Sequence, residues 1–456
     1  MKIALFMISM LLPALCGYAL LWRQALLSRL ERLVFSFTLG TGLLSFYLFG
    51  LALLNISFSA WSVAPFFVPF LIIGLLGLSK AIKTTRPSLP PWSPLSGLSL
   101  NQKIIFSFLA ALTVWKILFI VFMIFSGPTT FWDAYTLWNY KAKVIYYANN
   151  AGADHTGEGI IQGEYRHYPL HLPIIRAWIA TFLGEWDDAF VNLHSLLLFL
   201  CLLVLNFEFL RKETGKMTAM ILTCVLSGMP ILVYNVISGY ADLAVGYYYL
   251  SAVIMLFYWH RTGRSGFLIY SGILSSIAMF TKNEGVAIVF PALFFTFLFH
   301  LSFRGQSWKK TMGVVGLFLI SSMAILLWLR ESGALSSIMT ISGIKDSLVT
   351  FHPEGLMPFV NNLLVFRSHN LFWFGAALLV ALNWRKAFRP EARFFLIPSV
   401  LTLGAILFVF LFTPNIAWLM NSTTINRTML IVVPVLTLAG GYLIAPEDKS
   451  FIVAGD

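Results

Sequence analysis

The run IIFSFLAALTVWKILFIVFMIF, residues 104–125, is apolar throughout apart from Lys116 and a few small polar residues. A helix rises 1.5 Å per residue, so about 20 such residues cross the ~30 Å hydrocarbon core of a bilayer. In lipid every backbone N–H and C=O has to be satisfied inside the segment, which leaves a helix as the form such a run takes. Comparable runs lie near 3–22, 33–54, 60–79, 187–209, 217–236, 240–259, 266–282, 285–302, 310–329, 369–384, 394–413 and 429–445. The expectation is an all-α polytopic integral membrane protein with about thirteen transmembrane helices. Composition agrees: 11% of the residues are charged, against about 25% in soluble domains.

The net charge of +12 would suggest nucleic acid in a soluble chain. Here it reads as basic residues collected in loops on one side of a membrane, with no nucleic acid as partner. Cys16, Cys201 and Cys224 all sit in apolar runs, so neither a disulfide framework nor a cysteine metal site is expected. The N-terminus, MKIALFMISMLLPALCGYALLW, has the shape of a signal peptide, but no A-x-A site follows and the next segment is again apolar. A retained helix is the reading.

Orientation follows from the linkers. RQALLSRLER (23–32), Lys80 to Lys103, RKETGK (211–216), HRTGR (260–264), RGQSWKK (304–310) and NWRKAFRPEAR (383–393) hold most of the Lys and Arg. They share one side, the cytoplasmic one, provided LHLPIIRAWIATFLG (170–184) does not cross. That segment is short and carries Arg176 in its middle, so it is expected as an amphipathic helix on the membrane surface.

The outer face then receives a long loop, 126–186, a second at 330–368, and the turns SGYADL (238–243), TKNEG (281–285) and NSTTINRT (421–428). Asp133 in FWDAYTLWNYKAK is either a helix cap or a functional carboxylate. A carboxylate against aromatic surface is a stronger base than a solvated one, and Trp132, Tyr135 and Trp138 offer such surroundings. Asp242 opens a membrane helix, where a cap is again the plain alternative. Lys282 in TKNEG suits a phosphate as a point charge. Glu284, Arg166, His167, Tyr168, Arg367 and Arg427 complete the candidates for binding substrate or phosphate. His167 and His171 are spaced like metal ligands on a helix, but Pro169 lies between them and no third ligand is evident. A divalent metal is left open and not favoured, and no cofactor is assigned.

Four motifs in order carry a resemblance: FWDAYTLWNYKAK, YRHYPLHLPIIRAWIATFLG, GYADLAVGYYY and YSGILSSIAMFTKNEG. Together they resemble the GT-C superfamily of membrane glycosyltransferases, closest to bacterial enzymes that add sugars to lipopolysaccharide and other cell-surface glycans. Aminoarabinose and protein mannosyl transferases are more distant relatives in this sense. The resemblance covers about residues 104–302 and implies a GT-C-like helix bundle with a catalytic first external loop, 126–186, containing surface helices. It divides the chain into an N-terminal three-helix extension (1–103), the catalytic module (104–302) and C-terminal membrane helices with loop 330–368 (303–456). Asp133 inherits the role of activating the acceptor, Asp242 that of the later acidic turn, and Lys282 that of a phosphate contact. Arg427 matches a C-terminal basic position loosely. Relatives often carry a paired acidic motif, whereas Ala134 follows Asp133 here.

The implied activity is inverting transfer of a sugar from a polyprenyl-phosphate donor to a glycan or glycolipid acceptor. It would take place at the outer face of a bacterial cytoplasmic (inner) membrane, with membrane lipid as the surrounding partner. Two alternatives stay beside it: a transporter or flippase of lipid-linked sugars, and a non-enzymatic subunit of a polysaccharide assembly system.

Overall fold

The computed structural model describes residues 1–81, 95–150, 168–302, 308–323, 350–365, 368–422 and 424–445, and the backbone alone for 75–81. Among the described residues every element is helical and there is no strand. The longer helices are α1 (Lys2–Leu21), α2 (Arg29–Leu53), α3 (Ala60–Ala81), α4 (Leu100–Phe125), α5 (Asn139–Ala148), α6 (His171–Leu183), α7 (Asp188–Glu213), α8 (Lys216–Ser227), α9 (Pro230–Ser238), α10 (Ala241–Thr262), α11 (Ser265–Met279), α12 (Phe290–Ser302), α13 (Trp308–Ser322), α14 (Leu356–Leu364), α15 (Phe372–Leu382), α16 (Pro390–Phe412) and α17 (Val433–Ile444). Their starts are legible in the sequence. Ser28 with Glu31, and Ser99 with Gln102, form reciprocal capping boxes at α2 and α4. The Asp187 carboxylate accepts from the first N–H groups of α7.

Seven of these helices, with α12 counted together with the turn Gly285–Val289 before it, or nine if two bent pairs each count as one, are long and apolar enough to cross a membrane. The expected thirteen are therefore not all found among the described residues. The run 217–236 breaks between α8 and α9, turning by 61°, where Pro230 has no N–H to continue the ladder. The run 429–445 bends by 53° at Val432. The runs 266–282 and 369–384 yield helices of 15 and 11 residues, too short to span the core upright. Of 60–79 only the backbone is described beyond residue 74, and 324–329 lies outside the described residues.

A second expectation is corrected. Segment 170–184 is not an amphipathic helix on the membrane surface. Residues His171 to Ala180 of α6 are all buried, Arg176 completely. The guanidinium donates to Asn139 Oδ1 at 2.7 Å, Ser195 Oγ at 3.3 Å and the Gly239 carbonyl at 2.5 Å. α1, α2, α5 and α7 cover the helix, and these internal acceptors supply what water at a surface would have.

The bundle has two chemically distinct ends. At one, the basic linkers meet: Lys212 bonds Glu31 at 2.9 Å and the Leu26 carbonyl at 3.1 Å. There Arg261 bonds Glu213 at 2.8 Å, Lys216 bonds Ser96 at 3.0 Å, and His260 and His300 stand 4.7 Å apart against Phe394. At the other, Lys2 pairs with Glu185 and Asp187 at 2.5 and 2.8 Å. Since α6 does not cross, the basic linkers share an end, as the charge pattern requires.

α10 is the central helix and is buried on all sides over its apolar length. Two of its tyrosines find partners on neighbouring helices: Tyr248 bonds His171 Nε2 at 2.6 Å, and Tyr249 bonds Thr402 Oγ1 at 2.9 Å. Gly246 lets segment 429–431 lie directly on α10, because a Cβ there would meet the Leu430 carbonyl oxygen at 2.5 Å. Gly246→Ala is expected to cost about 1–3 kcal/mol through overpacking. The thermal midpoint of the purified protein should fall accordingly, and an unchanged midpoint would contradict the close approach.

Candidate functional site

The end opposite the basic linkers gathers residues from five separate stretches of chain. Asp133 lies past α4, directly before a π-helical turn, Ala134–Trp138. Its side chain makes no capping hydrogen bond to that turn. It accepts instead from the Arg427 guanidinium, in a short ion pair. Its backbone N–H donates to the Tyr240 hydroxyl at 3.4 Å. Arg427 stands 4.7 Å over the Tyr240 ring, and Tyr240 meets Tyr234 edge-on at 5.6 Å. Arg427 thus has a carboxylate at its fork and an aromatic face beneath it, an arrangement Lys would not reproduce. Burial pushes the Tyr240 phenol above its ordinary range, so it stays a neutral hydroxyl at physiological pH.

The second part of the cluster is built on a hairpin. α11 ends at Met279, and the chain passes through Thr281 and Lys282 into another π-helical turn, Gly285–Val289. Gly285 is required there because a Cβ would lie 2.1 Å from the Ala278 carbonyl oxygen. The Lys282 ammonium bonds Asp242 Oδ1 at 2.8 Å and Glu284 Oε1 at 2.6 Å. Asp242 and Lys282 are buried, and Glu284 is about one fifth exposed. Burial works against the ammonium, yet Asp242 and Glu284 outweigh it and hold Lys282 well above the ordinary lysine range. The capping role weighed for Asp242 is not the one its side chain takes.

Tyr168 joins the two parts. It feels the charges of Glu284, Lys282, Asp133 and Asp242 together, and its phenol is pushed up to about 12, chiefly by burial and then by Glu284. The Trp138 ring meets it edge-on at 5.7 Å. Lys141, fully buried, donates to the Tyr168 carbonyl at 3.3 Å. The His171 backbone N–H donates to the Phe280 carbonyl at 3.0 Å, which ties this strip to the Lys282 hairpin. Arg427 is also within electrostatic reach of Asp242. Three carboxylates (Asp133, Asp242, Glu284) therefore face Lys282 and Arg427, with the buried Lys141 held on the Tyr168 carbonyl. With Lys141 counted the set is formally neutral, and Arg427 Nε has no hydrogen-bond partner.

Six candidates from the sequence, Asp133, Asp242, Lys282, Glu284, Tyr168 and Arg427, come together here. Arg166, His167 and Arg367 lie outside the described residues. Of the three aromatics expected around Asp133, Trp132 and Tyr135 are exposed, and only Trp138 is buried beside the cluster. His171 is not placed as a metal ligand. Its ring nitrogens engage Ser45 Oγ at 2.8 Å and Tyr248 at 2.6 Å, and burial lowers it to about 3. Among the described residues no three His, Cys, Asp or Glu side chains gather as a metal set, and the Lys282 ammonium occupies the space between Asp242 and Glu284.

Three features escaped the sequence reading: Tyr240 as the platform under Arg427, Lys141 as a buried cation, and the paired π-helical turns. Such turns recur at functional sites. Their only signal in the sequence was the density of small and aromatic residues beside Asp133 and Glu284. No family model, curated protein or solved structure matches the chain.

Proposed function

We propose that the chain is an inverting glycosyltransferase taking a sugar from a polyprenyl-phosphate donor to a cell-surface glycan or lipid acceptor. The observation that carries this reading is the convergence of two carboxylate–cation pairs, Asp133–Arg427 and Asp242–Lys282, at the end opposite the basic linkers. A donor with a lipid tail and a phosphate needs a site of this kind at a membrane face. The acceptor hydroxyl oxygen attacks the anomeric carbon from the side away from the phosphate. The C–O bond to the phosphate breaks and the lipid phosphate leaves with the electron pair. Asp133 takes the hydroxyl proton, and Arg427 with Lys282 meets the charge that develops on the phosphate. A phosphate leaving group needs no strong acid, so one base and two cations suffice.

A specific observation favours the second reading, a transporter or flippase of lipid-linked sugars. Two bent helix pairs, α8 with α9 and 425–431 with α17, lie against each other, and broken spans line the sites of many transporters. The charged cluster, however, sits at a helix end rather than at the breaks. The deciding experiment is mass spectrometry of surface glycans from a strain lacking this chain, beside transfer by the purified protein from a prenyl-phosphate sugar. Loss of one sugar from an otherwise complete glycan, with transfer in vitro, is the expected result. Intact glycans, or accumulated donor without transfer activity, would refute it.

The proposed site of action is the outer face of a bacterial inner membrane. Tyr147→Cys, at an exposed position near the cluster, is expected to react with a membrane-impermeant maleimide in intact cells. Arg264→Cys, exposed at the basic end, should react only after permeabilisation. The reverse pattern would overturn the orientation and the mechanism with it.

A further inference from the structure

An apolar recess of about 540 Å³ opens between α4, α8, α15 and α17, away from the charged cluster. Leu109, Ile221, Val225, Leu379 and Leu436 are among its walls. Two glycines keep it open. A Cβ at Gly375 would meet nothing within 4 Å, and one at Gly440 would first meet Leu379 Cδ1 at 3.8 Å. Two polar side chains on its wall have partners: Asn370 Nδ2 donates to the Gly228 carbonyl at 3.0 Å, and Thr437 Oγ1 to the Val433 carbonyl at 2.8 Å; His369, at the end far from Ile444, has both ring nitrogens buried without a hydrogen-bond partner. The rest of the wall is apolar, so the recess suits an occupant that is apolar along its length.

Its position restricts the choice. On α17 the lining runs from Leu436 to Ile444, about 12 Å along the axis at 1.5 Å per residue. That is close to one leaflet of a ~30 Å hydrocarbon core, and it is the leaflet at the basic end. Lys386 stands at that mouth, its ammonium held by the carbonyls of Leu443 and Ala445 at 3.3 and 3.0 Å. Carbonyl oxygens place the ammonium without cancelling its charge. Arg385, stacked 5.5 Å from the Trp384 ring, and Lys216 at the start of α8 add positive charge at the same end. Of the carboxylates there, Glu213 is taken by Arg261 and Tyr442, and Glu391 lies in the first turn of α16.

We infer that this recess binds one acyl chain of an anionic glycerophospholipid from the leaflet at the basic end, with the lipid phosphate beside Lys386. The inference needs only that the helices sit in a bilayer and does not rest on the transferase reading. A polyprenyl donor is the less suitable occupant. Its phosphate would belong at the opposite end, beside Arg427 and Lys282.

The test is native mass spectrometry of the full chain in mild detergent, incubated with phosphatidylglycerol, phosphatidylcholine or undecaprenyl phosphate at equal concentration. Wild type is expected to retain one phosphatidylglycerol about fivefold more readily than phosphatidylcholine, the preference one lysine near a headgroup gives. Gly375→Phe, which fills the recess, loses both lipids. Lys386→Gln keeps a lipid but no longer distinguishes the two headgroups, an effect that a merely structural lysine would not produce. Should Gly375→Phe not fold, Gly440→Val is read in its place. Undiminished retention by the filled variant, equal retention of both phospholipids by wild type, or preferential retention of undecaprenyl phosphate would each overturn the assignment.

Discussion

Asp133→Asn is expected to lower sugar transfer by about 10²–10⁴-fold, the usual worth of a positioned general base, with the protein still folded. Asparagine keeps the shape of the side chain and can still accept from Arg427, but it cannot take a proton from the acceptor. The fold should tolerate the change. The Asp133 carboxylate is one third exposed, and Arg427 keeps the Tyr240 ring beneath it and Asp242 within reach. The loss should fall on kcat, because the proton moves only in the transition state. Arg427→Gln should instead weaken both donor binding and kcat, since the guanidinium would meet the phosphate in both states. Arg427 uses Nη1 toward Asp133, and its Nε has no hydrogen-bond partner, so on the proposed mechanism the guanidinium keeps donors for a donor phosphate while it holds the base. Full transfer activity of Asp133→Asn in membranes would remove Asp133 from the mechanism.

Why this much of the site was legible has a physical reason. In a chain that is 59% hydrophobic, an ionisable residue beside an apolar run is costly unless paired or placed at water. Asp133, Asp242, Lys282 and Arg427 therefore stood out without any alignment. The basic linkers then sorted them to one end. The pairing itself could not be read. Asp133 and Arg427 are 294 positions apart, and nothing local in either stretch names the other. Cap and functional carboxylate look alike from the sequence, because both put Asp at a helix start. The helices were legible as apolar runs, and both breaks carry a proline at the start of the second helix, Pro230 in α9 and Pro434 in α17, a marker that counting apolar residues passes over. Arg176 misled for a related reason. A charge inside an apolar segment signals a surface only when no internal acceptors exist, and Asn139, Ser195 and the Gly239 carbonyl come from three other parts of the chain.

Lys282→Met should have the largest effect on stability. It leaves Asp242 and Glu284 close together, with Asp242 almost wholly buried and its ion-pair partner gone. Removing one member of a buried pair costs about 3–5 kcal/mol, most of it the penalty of the stranded charge. The thermal midpoint of the purified variant should fall steeply, or the protein should fail to accumulate in membranes. The double variant Lys282→Met with Asp242→Asn separates the two contributions. If the cost is the stranded carboxylate, the second substitution restores much of the lost stability; if it is lost packing of the lysine stem, it restores none. pH supplies an independent check. The folded-state pKa of Lys282 is raised above its unfolded value of about 10.4. Its contribution is therefore complete below that value and disappears as the pH climbs through the higher folded-state one. Wild type should lose stability over that strongly alkaline interval more steeply than the double variant, which has no ammonium there to deprotonate. Identical alkaline profiles would mean that the Asp242–Lys282 pair does not hold the Lys282 hairpin to the start of α10.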